Sequence, residues 1–383
     1  MIDKLSYWER KTWLQDIDVA IIGSGIVGLC CAIRLTERFP NKKIVVLERG
    51  ILPSGASTKN AGFACFGSAS ELLDDLSRHS SEEVLDLVQK RVSGLKRLRG
   101  LLGDEAIDFR QHGGFEVFLE KDKTLLTQCT DQLTSLNSLL ADTFSRNDAI
   151  LPQNEVFFVK NDPFSFKNTQ NEVIFNQFEG QIDTGKMMAS LLQLAQEKGV
   201  FILNSAKITS ISGKNEQISL VLNKKHQIYP KRVCVATNGF AKQLLDEDVE
   251  PARAQVLITK PIKNLPIKGT FHLDRGYYYF RNIHDRLLFG GGRNLDFDAE
   301  RTVELNQTSL VMDRLETLIN ETILPGCHVE IDQRWSGIMG VGSQKKAIVK
   351  EVEGGIYCGV RLGGMGVAIG SHIGSELAEL VEL

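Results

Sequence analysis

A short aliphatic run, Asp18-Val19-Ala20-Ile21-Ile22, stops at Gly23-Ser24-Gly25-Ile26-Val27-Gly28, and this junction constrains the fold more than any other feature of the 383-residue chain. A run this short and this β-branched reads as a parallel strand buried on both faces. Ile26, Leu29, Cys30 and Ile33 then recur at helical spacing until Phe39-Pro40-Asn41 breaks the pattern, and Ile44–Leu47 supplies a second strand. The unit is β-α-β, and Glu48 stands at its end, 20 residues beyond Gly28. In G-x-G-x-x-G one glycine makes the tight turn, the next lets backbone approach a pyrophosphate, and the third lets helix pack on strand. The helix N-terminus faces the phosphate charge, and an acid at the position of Glu48 accepts from a ribose while repelling a 2′-phosphate. A dinucleotide site is therefore expected over Gly23–Gly28 and Glu48.

Composition removes other classes. Lysine and arginine number 45 against 48 acids, so a formal charge of −3 gives no general attraction to nucleic acid or anionic membranes. The seven cysteines are scattered, with no Cys-x-x-Cys pair and no histidine at ligand spacing nearby, so no metal site and a reducing compartment are expected. The opening residues lack a signal-peptide pattern, and the longest apolar run, 19–33, is shorter than a membrane span and broken by glycines. A cytoplasmic chain with no integral membrane segment is the expectation.

The stretch after Glu48 separates FAD from NAD. Arg49 to Ser68 is rich in small and polar residues and too long for an ordinary strand-to-helix connection, which suggests a second loop closing on a ligand. Ala56-Ser57-Thr58-Lys59-Asn60-Ala61-Gly62 has the form Ala-Ser-x-x-Asn-x-Gly, and with it the sequence resembles the D-amino-acid-oxidase-like family of FAD oxidoreductases, which includes glycine, sarcosine and γ-glutamylputrescine oxidases. Three further blocks carry the resemblance along nearly the whole chain. Phe178 to Ile211, with Asp183 capping a helix, looks like the adenine-side unit and places Ile208 at the adenine. Ala236-Thr237-Asn238-Gly239 ends an apolar strand and is similar to the family's loop near the pyrophosphate. The C-terminal Arg361-Leu362-Gly363-Gly364-Met365-Gly366-Val367 opens a helix whose apolar face is Ile369, Ile373, Leu377 and Leu380. The resemblance implies that this last turn sits beside the flavin ring, where a helix N-terminus stabilises charge developing near N1. It also implies that Arg49, Ala56, Ser57, Thr58, Asn60, Ala61 and Gly62 belong to the cofactor site.

The expected architecture is α/β: a Rossmann-like FAD-binding domain (1–78, 150–245 and 331–383) interleaved with an α+β substrate domain on an antiparallel sheet (79–149 and 246–330). Within the latter, Ser80-Ser81-Glu82-Glu83 resembles a capping box, and 113–119, 255–259, 276–282 and 287–292 are rich in strand formers.

The substrate site is less determined. Tyr277, Tyr278 and Tyr279 alternate faces, so either Tyr278 or its two neighbours point inward; Tyr278 is the candidate taken. Arg281 and Arg293 are candidate carboxylate partners. Members of the family that oxidise amino acids often carry Trp-x-Gly-x-Arg, but here Trp335-Ser336-Gly337-Ile338-Met339 puts an apolar Met339 where the clamp would be. Arg361 is the substitute. Residues 340–350 hold no cysteine for covalent flavin attachment, and Arg286–Gly290 holds no lysine for oxygen activation, so noncovalent FAD is expected and the electron acceptor stays open. His112, His272 and His284 stand in no recognisable constellation, and no catalytic residue is assigned. The resemblance implies oxidation of the C–N bond of a small amine or amino acid, giving an imine that hydrolyses. A 2-hydroxy-acid dehydrogenase on the same scaffold, or a flavin-binding module without turnover, are the alternatives.

Overall fold

The computed structural model describes residues 5–145, 155–214 and 217–383. Val19–Ile22 is an inner strand of a six-stranded sheet with the order 348–353, 356–360, 232–235, 19–22, 44–47, 201–203. All neighbours are parallel except the first pair. Both Val19–Ile22 and Ile44–Leu47 are buried at every position, as runs without polar alternation require. Their alternate residues serve two cores. Val19, Ile21, Ile44 and Val46 pack with helices Ile26–Arg38, Thr184–Glu197 and Gly366–Leu380, while Ala20, Ile22, Val45 and Leu47 face a small sheet made by 208–212, 219–222 and 226–228. Small residues let the helices meet at backbone distance. A Cβ on Gly374 would stand 2.6 Å from the Val27 carbonyl, and one on Gly94 would overlap that of Ala368.

The second sheet has eight strands in the order 331–341, 250–259, 286–291, 278–283, 270–273, 114–119, 169–176, 157–161. It is antiparallel apart from the pairing of 270–273 with 114–119. One face, with Phe271, Leu273, Tyr278, Phe280 and Phe289, packs against helix Ser309–Leu318. The other face, with Val256, Tyr279 and Leu288, meets Ala61 and Phe63 from the loop that follows Glu48. Ser80 forms a capping box with Glu83, and the Asp183 side chain accepts from the Lys186 amide at 2.9 Å, so both helix starts stand where their capping residues put them.

Three strands depart from the expected division. Phe157–Asn161 and Thr169–Asn176, placed by sequence with the dinucleotide-binding parts, pair into the eight-stranded sheet, and so does Ile331–Val341. Helix Ser81–Leu102, placed with the substrate parts, crosses helix Gly366–Leu380 at Gly94, where Ser371 Oγ donates to the Gly94 carbonyl at 2.5 Å. The expected boundary at 149/150 lies outside the described residues. Among those residues, no helix is long and apolar enough to cross a membrane.

Candidate active site

A cavity of about 1070 Å³ runs between the two sheets, at the upper end of the range of ordinary small-molecule pockets. At one end its wall is backbone. Gly23 turns there with φ +105°, and a Cβ on it would lie 2.9 Å from the Ala236 carbonyl. Gly25 has no space either: a Cβ would be 2.8 Å from Ser57 Oγ, which accepts from the Ile26 amide at 3.0 Å. Glu48 is buried and accepts from the Ser24 amide (3.2 Å), Ser24 Oγ (2.7 Å) and the Gly50 amide (2.8 Å). A carboxylate has about four acceptor positions, so one remains for a ribose hydroxyl. Thr237 Oγ1, on the same wall, is buried without a partner among the described residues. Arg49 stacks on Phe240 at 3.6 Å, and burial lowers its pKa.

The early loop and the C-terminal turn line this same cavity, so Ser24 and Gly364 belong to one site. Asn238, just past the end of strand 232–235, holds the C-terminal turn by accepting from the Leu362 amide at 3.1 Å. Helix Gly366–Leu380 begins at the wall, with Gly364, Met365, Gly366 and Val367 exposed to the space. Ile26 and Val27, Ala56, Asn60 and Ala61, Ile208 and Ala236 also line it, as do Arg361 and Gly363. Gly28, Thr58, Gly62 and Gly239 are not among the lining residues. A Cβ on Gly28 would overlap the Gly23 carbonyl, Thr58 Oγ1 bonds to backbone at Gly55 (3.1 Å), the Gly62 amide donates to Asn60 Oδ1 (2.8 Å), and Gly239 abuts the Met339 carbonyl. These four shape the wall from behind.

The far end of the cavity is built from side chains. His272 and Tyr279 rise from the eight-stranded sheet, with Phe63, Cys65, Met339 and Met365 around them. His272 Nε2 lies 2.8 Å from Glu179 Oε2, and the Thr270 hydroxyl donates to the same oxygen at 3.0 Å. Burial disfavours the imidazolium, but the Glu179 carboxylate, with Glu116 and Glu71 farther off, outweighs it and raises the His272 pKa. Glu116, opposite His272 in the sheet register, is itself pushed up by burial against the hydrogen bonds from Ser70 and Ser68. Toward the rim, Lys345 Nζ pairs with Asp75 (2.6 Å) and Glu71 (3.5 Å), and buried Arg91 donates to the Phe66 carbonyl at 2.7 Å. Burial raises the Asp75 pKa despite Lys345.

The substrate candidates fare differently. Tyr278 is corrected: it lies on the Phe280 face of the strand, buried toward Val311 and Phe289, whereas Tyr277 and Tyr279 reach the cavity. Arg281 is spent on the Ala61 carbonyl and on that of Ile182 (2.9 Å), which ties the early loop to the sheet, and burial pushes its pKa down to about 10. Arg361 reaches the wall, but its guanidinium donates to Asp248 Oδ2 at 2.6 Å and to the Lys346 carbonyl at 2.9 Å, so it is not a free clamp. Arg293 is half-buried on the wall, stacks on Phe297 at 4.8 Å and has no carboxylate partner among the described residues. Met339 lines the cavity as an apolar wall. His112 is not on the wall. Glu71, Asp75, Arg91, Glu179 and Lys345 were not found from sequence, because no local pattern marks a residue that meets its partner only across the fold.

The fold and cavity define a dinucleotide-binding α/β protein with a second, side-chain-lined chamber at the far end of the site. Residues 18–380 match the family model described as FAD dependent oxidoreductase, and the chain belongs to that family of FAD-binding enzymes. A probable oxidoreductase OrdL from Rhizobium meliloti (strain 1021) is 23% identical over 381 residues, covering 95% of this chain and 82% of that protein. Among solved structures, L-proline dehydrogenase from P. horikoshii superposes with a TM-score of 0.72 at 18% identity, covering 96% of this chain and 93% of that one. Glycine oxidase from Bacillus cereus ATCC 14579 gives 0.71 at 17% identity, covering 95% and 94%. The residues present fit FAD: the Gly23–Val27 turn and the Thr237 hydroxyl, which has no partner among the described residues, would suit the pyrophosphate, Glu48 a ribose, Ile208 the adenine, and Ala56, Ser57, Asn60 and Ala61 with Gly363–Val367 the flavin end.

Proposed function

We propose that this chain oxidises the C–N bond of a small amino acid, or of an amine carrying a carboxylate, and releases an imine that water hydrolyses to a carbonyl compound and the free amine. Noncovalent FAD supplies the hydride acceptor. The chain's own residues bind and orient. Arg293 would hold the substrate carboxylate, Tyr277 and Tyr279 would bound the substrate, and Met339, Phe63 and Met365 would keep the reacting carbon in a dry wall. Gly366, where the last helix starts, lines the cavity, so the helix's positive end would face the flavin. The names of the structural relatives, a proline dehydrogenase and a glycine oxidase, support an amino-acid substrate.

The observation that carries the choice of C–N over C–O is the pairing of His272. Oxidation of a hydroxy acid needs a base for the hydroxyl proton, and the Nε2 of the imidazole on this floor is engaged by Glu179 at 2.8 Å rather than open to a substrate. Removal of a hydride from a neutral amine needs no such base. Anaerobic mixing of the yellow protein with neutral and acidic amino acids, simple amines and 2-hydroxy acids tests this. Bleaching of the visible flavin absorbance by at least one amino acid is expected. Bleaching by hydroxy acids alone would establish the other chemistry, and by none of them a binding function without turnover.

A further inference from the structure

Three residues that chain position keeps far apart, Cys65, Glu179 and His272, converge at the floor of the cavity, Cys65 and His272 on its wall and Glu179 behind them. All are buried, and one ligand atom from each lies within 4.8 Å of the other two. Cys65 Sγ also lies 3.8 Å from Met365 Sδ. We propose that this group is a binding site for a thiophilic divalent cation of the Zn²⁺ type, with Cys65, His272 and Glu179 as ligands and the Met365 thioether beside them. A thiolate, an imidazole and a carboxylate form the mixed donor set that Zn²⁺ takes, with a fourth position left open toward the cavity. A hard cation such as Mg²⁺ selects oxygen donors instead, so the site discriminates by its sulfur and nitrogen.

Surrounding groups hold the donors in place. Glu179 is fixed by the Thr270 hydroxyl (3.0 Å) and the Asn176 amide (3.4 Å), and the His272 ring is set edge-on against Phe63 at 5.4 Å. Such outer contacts orient ligands and are half of a metal site's construction. Cys65, His272 and Met365 all line the cavity, so an ion has a path to them. Charge balances without redox change. Ligation requires thiolate, carboxylate and neutral imidazole, so any proton held on the Cys65 sulfur or on the coordinating imidazole nitrogen passes to solvent as M²⁺ binds. An ion so placed occupies the floor on which a substrate must rest, and would therefore block turnover.

The test uses the flavin-loaded full chain, freed of metal by a chelator, and equilibrium dialysis against ZnCl₂ with MgCl₂ in parallel. One Zn²⁺ retained per chain, little Mg²⁺, and a changed visible flavin spectrum are expected. Cys65→Ala should weaken Zn²⁺ retention by at least tenfold without loss of bound flavin, and His272→Gln should do the same. Exposed Cys327, next to His328, is the competing surface site, and Cys327→Ser should leave retention unchanged. Loss of Zn²⁺ in Cys327→Ser with retention in Cys65→Ala would overturn the proposal, as would wild-type protein that keeps no stoichiometric Zn²⁺. This outcome is read from bound metal, so it stands apart from which substrate the enzyme oxidises.

Discussion

The two ends of the cavity are made in different ways. At the dinucleotide end the wall is largely main chain, made by the 19–47 β-α-β unit with Ser57 and Ala236 against it, and its selectivity comes from what is missing: the Cβ atoms of Gly23, Gly25 and Gly28. At the far end the wall is side chains brought from strands 270–273, 278–283 and 286–291, the early loop and helix Ala69–Leu76. A backbone site tolerates almost no substitution but can hold only a ligand with a fixed shape. A side-chain site can be rewritten without disturbing the first, so one scaffold keeps its cofactor while its substrates diverge.

The largest expected effect breaks the backbone end. Gly28→Ala sets a methyl against the Gly23 carbonyl, which has nowhere to go, and purified protein should carry little or no flavin absorbance. Gly25→Ala meets a side chain, Ser57 Oγ, so its flavin loss should be partly rescued by adding Ser57→Ala. Rescue of Gly28→Ala by a side-chain change, or none for Gly25→Ala, would show that the constraint is not the main chain in the first case or not Ser57 in the second.

This contrast also explains what was readable beforehand. The Gly23–Gly28 turn, Glu48 and the caps at Ser80 and Asp183 follow from spacing within about 30 residues, where hydrophobic period and turn chemistry act directly. The start of the last helix near Gly366 was legible for the same reason. The far end was not. Glu116 faces His272 only because 114–119 pairs with 270–273 across more than 150 residues, and strands 157–161 and 169–176 join that sheet by pairings that no local pattern announces. Three consecutive tyrosines on a strand fix an alternation but not its parity. Parity comes from the Phe280 and Phe289 core beneath, which takes Tyr278 and leaves Tyr277 and Tyr279 to the cavity.

A smaller effect sharpens the side-chain end. Of the two candidate clamps, Arg361 already has Asp248 and backbone carbonyls, whereas Arg293 makes no ion pair among the described residues, the acid that influences it, Glu300, being bonded to Arg253. A charge-assisted hydrogen bond contributes roughly 1.5–3 kcal/mol. Arg293→Gln should therefore raise KM for the amino acid that bleaches the flavin by about 10-fold to 100-fold, with flavin content unchanged. Arg361→Gln should leave KM within about twofold and lower thermal stability instead. The reverse pattern in steady-state kinetics would return the clamp to the C-terminal turn.

The smallest effect is on stability and separates the two ends by pH. Burial works against the His272 charge, but Glu179 at 2.8 Å wins, so the pKa in the folded chain lies above the ordinary value of 6.5. The folded state then binds this proton more tightly than the unfolded state does. The stabilisation is complete below pH 6.5 and disappears as pH rises through the folded pKa. The melting temperature of the wild type minus that of His272→Gln should thus be greatest in mildly acid buffer and shrink as the pH rises. On the phosphate-side turn, Ser57 Oγ accepts from the Ile26 amide, and neither of these groups titrates over this range. The difference between wild type and Ser57→Ala, measured over the same buffers, should stay flat. A His272 difference that is also flat would mean that the imidazole is neutral in the fold, and the base-dependent chemistry of hydroxy acids would again be open to this floor.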